Sequence, residues 1–143
     1  MSFSLNYNFT TLENEVLSVD NSLGYISGGS FGIGQTDVAR MEVGLPIGYF
    51  NGLKTDGVFQ NQSEVDAHPS QLALGANAQP GDIRFVDINN DGLINEDDKT
   101  YIGDPIPDVT MGLNISFDYK NFDFQMYLFS SIGNEIVRNY ERN

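Results

Sequence analysis

Cysteine and tryptophan are absent from this chain of 143 residues, and histidine occurs once, at His68. The lack of cysteine excludes disulfide bonds, thiolate metal sites and a cysteine nucleophile. A single histidine cannot form a histidine-rich metal cluster. No stretch approaches the roughly 18 continuous apolar residues of a membrane-spanning helix. Residues 1–10 also lack the basic and apolar regions that predict a signal peptide.

Positive charge is scarce as well. Lys and Arg together number 7 against 20 for Asp and Glu, which gives a formal net charge of −13. Nucleic acids and anionic membrane surfaces would repel such a chain. The composition therefore predicts no nucleic-acid partner, and it suits a protein that holds cations or stays soluble by repulsion.

Sequence motifs of catalysis are missing too. The glycine-rich residues 27–34 lack the Lys-Ser/Thr ending of a phosphate-binding loop and a following helical pattern, so they are predicted to form a flexible loop. No nucleophile elbow, cofactor loop or paired general base is recognisable. The chain is predicted not to be an enzyme.

Three segments of the chain alternate between apolar and polar residues. They cover residues 2–10, 110–119 and 122–130, and the last becomes more continuously aromatic towards its end. A period of two with aromatic enrichment is typical of β-strands with one apolar face. Only Lys120 and Asn121 separate the second and third segments, which predicts a two-residue hairpin turn where Asn121 can take a positive φ.

Two kinds of sheet fit this alternation. One is a half-buried antiparallel sheet in a soluble sandwich, and the other is the wall of a transmembrane β-barrel, with apolar side chains facing lipid and polar ones facing a watery lumen. Membrane-spanning strands need about 9–11 residues, whereas soluble strands average about 5–6. Since all three segments are long, we interpret the chain as all-β, a fragment of a transmembrane antiparallel barrel with about three wall strands.

Residues 87–98, DINNDGLINEDD, have the spacing of an EF-hand-like calcium loop. Gly92 would permit the sharp turn at position 6, and Ile94 would point away from the ion into an apolar cluster. The loop predicts a structural Ca²⁺ ion as cofactor. Its predicted ligands, at loop positions 1, 3, 5, 7 and 12, are Asp87, Asn89, Asp91, Leu93 (through its backbone carbonyl) and Asp98.

This loop departs from a full EF-hand in two ways. Asp98 has a shorter arm than the usual Glu, which predicts a weaker site, with a dissociation constant on the order of 10⁻⁴–10⁻³ M as in extracellular modules. The flanks are not long helices: residues 83–86 favour a short strand, and Asn95 can cap a helical turn over residues 96–100. The same Asp, Asn and Gly residues also favour a turn without metal.

The region between the first and second strands is too long for a plain connection. In a barrel, the turn at residues 120–121 would face the periplasm, so both ends of the long region would lie outside the cell. Within this region, Ser63 is predicted to cap a short helix that Pro69 ends. The predicted organisation is a barrel strand at 1–10, an extracellular loop region at 11–108, a barrel hairpin at 109–133 and the start of a further loop at 134–143.

Several motifs follow one another in a fixed order. Residues 43–60 read VGLPIGYFNGLKTDGVFQ, residues 80–85 read PGDIRF and precede the calcium-like loop, and residues 99–108 read KTYIGDPIPD and precede the two later strands. Together with those strands they resemble, over residues 40–135, the SusC/RagA-type TonB-dependent outer-membrane transporters.

This resemblance implies a barrel of about 22 strands with an internal plug in the outer membrane of a Gram-negative cell. Such a protein imports oligosaccharides or peptides, and its partners are a SusD-type surface lipoprotein, the TonB complex and outer-membrane lipid. The chain shows no plug and no TonB box, so it is expected to be a fragment that does not transport alone. The alternative interpretation is a secreted, calcium-stabilised β module that binds glycan or protein.

Overall fold

The chain folds mainly into strands, as seen in a computed structural model that describes residues 1–31 and 36–138, without the side chains of residues 31 and 36. The predicted all-β class is confirmed. Every helix among the described residues is too short or too polar to cross a bilayer. The strands are β1 (Ser2–Thr11), β2 (Tyr25–Phe31), β3 (Thr36–Glu42), β4 (Tyr49–Leu53), β5 (Thr55–Val58), β6 (Ile83–Phe85), β7 (Lys99–Gly103), β8 (Val109–Tyr119) and β9 (Phe122–Ile132). The helical elements are α1 (Gln62–Ala67) and 3₁₀ turns at Leu72–Leu74 and Glu96–Asp98.

Two compact units make up the chain. The first comprises residues 1–26, 41–48 and the chain from residue 103 onward, and the second comprises residues 27–40 and 49–102. The first unit holds the three-stranded sheet, in the order β1-β8-β9. Most of a four-stranded sheet, β2-β3-β4-β7, and the pair β5-β6 belong to the second unit.

The three-stranded sheet is fully antiparallel, with β8 at its centre. The pairing of β1 with β8 runs from Ser2↔Asp118 to Thr11↔Val109 without a shift in register. The pairing of β8 with β9 is equally regular. All three predicted segments are therefore strands, each slightly longer than the alternation indicates, because backbone pairing continues past the last alternating side chain.

The hairpin between β8 and β9 turns through Lys120 and Asn121, as predicted, and the pair Tyr119↔Phe122 closes it. The positive φ, however, falls on Lys120, at 56°, and not on Asn121. The first residue of this turn thus takes the left-handed conformation, although its side chain does not favour it.

The predicted loop region between β1 and β8 contains six strands among its described residues. Residues 27–31 belong to β2, so the flexible loop predicted there is wrong, and residues 32–34 of that prediction lie outside the described residues. β2 is hydrogen-bonded to β3, and the Ser30 hydroxyl donates to Asp37 Oδ1 at 2.5 Å. Backbone pairing makes this segment a strand, which its glycine content does not favour.

The buried core lies in the second unit. Its fully buried apolar side chains are Tyr49, Phe59 and Ile94, and the Tyr49 ring packs against Tyr101 with 5.6 Å between ring centroids. The Phe59 ring meets the edge of the His68 ring at 5.1 Å. The three-stranded sheet, by contrast, has no fully buried residue along the described β1, β8 and β9.

Helix α1 begins two residues earlier than its predicted cap implies. Asn61 is the N-cap, and its side-chain oxygen accepts a hydrogen bond from the Glu64 backbone N–H at 3.0 Å. Ser63 lies inside the first turn, so its predicted capping role is wrong. The helix ends at His68, whose backbone N–H donates to the Val65 carbonyl oxygen, just before Pro69.

Candidate functional site

The loop at residues 87–98 is held together by side-chain oxygens that accept from its own backbone. The two oxygens of Asp87 accept from the N–H groups of Asn90 (2.6 Å) and Gly92 (2.9 Å). Asn89 Oδ1 accepts from the Asp91 N–H at 2.9 Å, and Asp91 Oδ1 accepts from the Leu93 N–H at 2.8 Å. The side chains predicted for loop positions 1, 3 and 5 are therefore the ones that curl the chain.

The turn and the anchor of this loop also follow the predicted pattern. Gly92 has a φ of 85°, which glycine adopts at no steric cost. Ile94 is fully buried, as expected for the residue predicted to anchor the loop. A parallel bridge joins the loop to Ser70, whose N–H donates to the Gly92 carbonyl and whose carbonyl accepts from the Ile94 N–H. These bonds flank Leu93, whose own N–H is directed towards Asp91.

Asp98 closes the loop from a fully buried position. Its carboxylate accepts from the Ile88 N–H at 2.9 Å and the Asn95 N–H at 2.8 Å. The bond from Asn95, followed by that from Ile88, lowers the pKa of Asp98 below its ordinary value, against the opposing effect of desolvation. Asn95 in turn caps the 3₁₀ turn at Glu96–Asp98, as predicted, and completes a capping box with Asp98.

The oxygen donors of the loop suit a hard cation such as Ca²⁺, which binds carboxylate, amide and backbone carbonyl oxygens together. Each carboxylate oxygen of Asp87 and Asp98 that accepts one backbone N–H keeps a second lone pair. Within residues 1–31 and 36–138, no three His, Cys, Asp or Glu side chains are grouped as in a metal site. A cation in this loop would thus depend on Asn89 and the Leu93 carbonyl as well as on carboxylates.

Two further polar contacts involve β6 and have no signal in the sequence. Arg84 Nε donates to Asp56 Oδ1 at 2.6 Å, and this hydrogen bond is the main cause that lowers the pKa of Asp56. The buried Gln71 bridges β6, donating to the Ile83 carbonyl at 3.1 Å and accepting from the Phe85 N–H at 3.0 Å. Both contacts join residues far apart in the sequence, so no local pattern could have found them.

The three-stranded sheet has two chemically distinct faces, as its register requires. The apolar face consists of Phe3, Leu5, Tyr7, Phe9, Thr11, Val109, Met111, Leu113, Ile115, Phe117, Tyr119, Phe122, Phe124, Met126, Leu128, Ser130 and Ile132. The polar face consists of Ser2, Ser4, Asn6, Asn8, Thr10, Thr110, Gly112, Asn114, Ser116, Asp118, Asp123, Gln125, Tyr127, Phe129 and Ser131. Nearly all large side chains of the sheet thus share one face.

The apolar face is open. Phe3 is 63% exposed and Phe124 is 44% exposed, while the other apolar side chains of β1 on this face are all at least 55% exposed. A soluble sandwich would instead bury these rings in a common core. The alternation in the sequence therefore places the apolar and the polar side chains on opposite faces of the sheet, and the apolar face is exposed.

Curated relatives of this chain are TonB-dependent receptors. The chain is 33% identical over 139 residues to TonB-dependent receptor P3 of Formosa agariphila and 35% identical over 107 residues to receptor P26 of the same organism. It is 28% identical over 142 residues to the TonB-dependent receptor SusC of Bacteroides thetaiotaomicron. These alignments cover 95%, 73% and 99% of this chain, respectively.

The chain spans only 13%, 10% and 13% of these three receptors' own lengths. No family model matches it. The alignments confirm the resemblance that the ordered motifs indicate.

Proposed function

Because this chain is a relative of the TonB-dependent receptors, SusC among them, and matches one segment of them, we propose that it forms part of an outer-membrane nutrient importer. It would contribute barrel wall through β1, β8 and β9, and an extracellular region through the residues between β1 and β8. Import of oligosaccharide or peptide would be an activity of the whole importer, with a SusD-type lipoprotein and the TonB complex as partners.

The observation that carries this proposal is the uncovered apolar face of the three-stranded sheet. A contiguous apolar surface of this kind is costly in water and is rare on soluble monomers. In lipid the same surface needs no cover, and the polar face would line the lumen. A secreted β module has to bury these rings, so their exposure favours the importer over that alternative.

Strand length agrees with a membrane wall. β8 and β9 have 11 residues each, and at about 3.3 Å per residue such a strand is about 36 Å long. At a tilt of about 40° it spans about 28 Å, close to the height of the apolar band of outer-membrane barrels, about 25 Å. Soluble strands are typically half this length.

A tryptophan introduced on each face of β9 tests the wall. The protein, expressed from its native reading frame, would carry Phe124→Trp on the apolar face or Gln125→Trp on the polar face, in vesicles whose acyl chains are brominated. We expect strong quenching of the added fluorescence in Phe124→Trp and weak quenching in Gln125→Trp, because adjacent side chains point to opposite faces. Equal quenching of Phe124→Trp and Gln125→Trp would contradict the proposal that β9 is part of a barrel wall. A protein that is monomeric in water without detergent would contradict it as well.

We also propose that residues 87–98 bind Ca²⁺ as a structural ion. The support comes from the oxygen-bearing residues Asp87, Asn89 and Asp91, whose side chains accept hydrogen bonds from the loop backbone and curl the loop. The ion would hold the loop in shape beside its bridge to Ser70. Nothing in this arrangement supplies a nucleophile or base, so its role is stabilisation.

Calorimetric titration with CaCl₂ tests this second proposal. We expect binding with a dissociation constant on the order of 10⁻⁴–10⁻³ M, lost in Asp87→Ala and Asp91→Ala. Asp97→Ala is the matched control, because Asp97 belongs to the same loop and carries the same charge, but its position is not a ligand position. At ten times the dissociation constant, Ca²⁺ should add about 1.4 kcal/mol of stability. If Asp87→Ala and Asp91→Ala give the same heats of Ca²⁺ binding as the wild type, the proposed site at residues 87–98 is contradicted.

A further inference from the structure

Ser70 lies outside the loop at residues 87–98 but is hydrogen-bonded to it through its backbone. Its N–H donates to the Gly92 carbonyl at 3.1 Å, and its carbonyl accepts from the Ile94 N–H at 2.8 Å. These two bonds make a parallel bridge between Ser70 and Leu93. The loop is therefore held near its middle by a residue that its own sequence motif does not contain.

The bridge determines which way the backbone groups of Leu93 face. In an extended chain, the N–H and carbonyl of one residue face one edge, and those of the next residue face the opposite edge. Because the Gly92 carbonyl and the Ile94 N–H face Ser70, the Leu93 groups face away from it. The Leu93 N–H accordingly donates to Asp91 Oδ1 at 2.8 Å, on the side of the loop. Among the described residues, no hydrogen bond ends on the Leu93 carbonyl.

This carbonyl is the backbone ligand predicted at position 7 of the loop. A side-chain ligand such as Asp87 can rotate towards an ion, but a carbonyl reaches it only if the backbone already has the right orientation. Contacts that orient a ligand without touching the metal typically change metal affinity 10–100-fold when they are lost. For Leu93, the contact that sets the orientation comes from Ser70.

The next residue, Gln71, fixes Ser70 independently of the loop. The buried Gln71 side chain donates from Nε2 to the Ile83 carbonyl at 3.1 Å and accepts at Oε1 from the Phe85 N–H at 3.0 Å. Loss of these bonds would leave a buried amide without partners, which costs free energy. Ser70 is thus held against β6, which is itself paired with β5.

We propose that Ser70 is a positioning residue of the Ca²⁺ site at residues 87–98. Its backbone N–H and carbonyl hold the Leu93 carbonyl towards the ion, and Gln71 keeps Ser70 in place. This inference rests on the proposed Ca²⁺ site and extends it to a segment that precedes β6. Ion binding and the bridge then stabilise each other, because such coupling is reciprocal.

Calorimetric titration with CaCl₂ tests the role of Ser70 in the detergent-solubilised protein, expressed from its native reading frame. Proline has no N–H, so Ser70→Pro removes the bond to the Gly92 carbonyl, whereas the conservative variant Ser70→Ala keeps it. We expect Ser70→Pro to weaken Ca²⁺ binding about tenfold or more and Ser70→Ala to bind as the wild type does. Wild-type affinity in Ser70→Pro, or an equal loss in both variants, would overturn the positioning role of the backbone.

Gln62→Pro is the matched control for the introduced proline. Gln62 is the first residue of α1 in the same unit, and Asn61 before it has an extended backbone, so proline is tolerated there. This variant should bind Ca²⁺ as the wild type does. A loss equal to that of Ser70→Pro would show that the effect is not specific to Ser70 and would overturn the inference.

Hydrogen exchange of the wild type tests the bridge without any substitution, and it decides the question if Ser70→Pro does not fold. We expect Ca²⁺ to slow exchange of the Ser70 and Ile94 amides more than that of the Glu64 amide, which is bonded to Asn61 in α1. Equal slowing of all three amides would indicate a general gain in stability and would overturn the inference. A wild type that gives no heat with CaCl₂ contradicts the Ca²⁺ site itself, whereas a wild type that binds without these differences contradicts only the role of Ser70.

Discussion

Asp97 and Asp98 are neighbours in the sequence but differ completely in environment. Asp98 is fully buried and accepts two backbone hydrogen bonds, whereas the Asp97 side chain is exposed and only its backbone N–H takes part, donating to Asn95 at 2.7 Å. The spacing of residues 87–98 predicted a special role for Asp98 as the last ligand. It could not indicate that this carboxylate is also a buried acceptor, because burial depends on how the loop packs.

The lowered pKa of Asp98 makes the second unit sensitive to acid. A carboxyl whose folded pKa lies below its unfolded value contributes stability above the unfolded value, here 3.8, and loses it as pH falls through the folded value. We expect Asp98→Asn to lower the urea midpoint of unfolding at pH 7. The difference in midpoint between this variant and the wild type should become smaller below pH 3.8. Asp97→Asn is the control. A difference in urea midpoint that stays constant down to pH 2 would show that the ionised form of Asp98 does not stabilise the fold.

Gly133 lies against the Asp108 side chain and has a positive φ. A Cβ there would overlap the Asp108 carboxylate, and the residue has a φ of 93°. We expect Gly133→Ala to cost about 2–4 kcal/mol in unfolding free energy, the sum of strain and overlap. Gly24→Ala isolates the strain, since Gly24 has a φ of 76° but nothing within 4 Å, and it should cost about 1–2 kcal/mol. If urea titrations give the same loss of unfolding free energy for Gly133→Ala and Gly24→Ala, the Asp108 side chain moves aside and the overlap has no cost.

Among the elements of secondary structure, the long strands were predictable and the short ones were not. β1, β8 and β9 are ten or eleven residues long and alternate between apolar and polar residues over much of their length, a signal that local sequence carries by itself. The four-stranded sheet has strands of five to seven residues, and β2 is rich in glycine. Its existence depends on pairing between distant segments, which no single segment encodes.

The cap of α1 provides a test at the level of an element. Asn61 bonds the Glu64 N–H, and Glu64 Oε2 accepts from the Gln60 N–H at 3.0 Å. We expect Asn61→Ala to destabilise the helix by about 1 kcal/mol and to speed hydrogen exchange of the Glu64 amide. Ser63→Ala, two residues further on, should change neither the stability of the helix nor the exchange rate of the Glu64 amide. The opposite pattern would restore Ser63 as the cap.

Charge is a property of the whole molecule. With 20 acidic and 7 basic side chains, repulsion among the carboxylates opposes the folded state. Ion pairs that offset it include Arg84 with Asp56, Arg84 with Glu64, and Lys99 with Glu96. Exposed pairs of this kind contribute little each. The surplus of negative charge therefore remains largely uncompensated within the chain.

Raising ionic strength should stabilise this protein. The Debye length falls from about 30 Å at 0.01 M salt to about 8 Å at 0.15 M, so screening weakens repulsion among the carboxylates. We expect the melting temperature to rise by about 2–4 °C between these NaCl concentrations, as about 1 kcal/mol would produce in a domain of this size. The measurement is differential scanning calorimetry in EDTA, which excludes Ca²⁺. A melting temperature that falls with salt would show that the ion pairs outweigh the repulsion.

The sequence by itself determined the three long strands, the separation of their apolar and polar faces, and the curl of the loop at residues 87–98. These features depend on side-chain spacing and on hydrogen bonds between near neighbours. Only the tertiary structure decided that the apolar face stays uncovered and that Asp98 is buried. Each of those depends on segments far apart in the chain meeting in space, and local chemistry does not specify which segments meet.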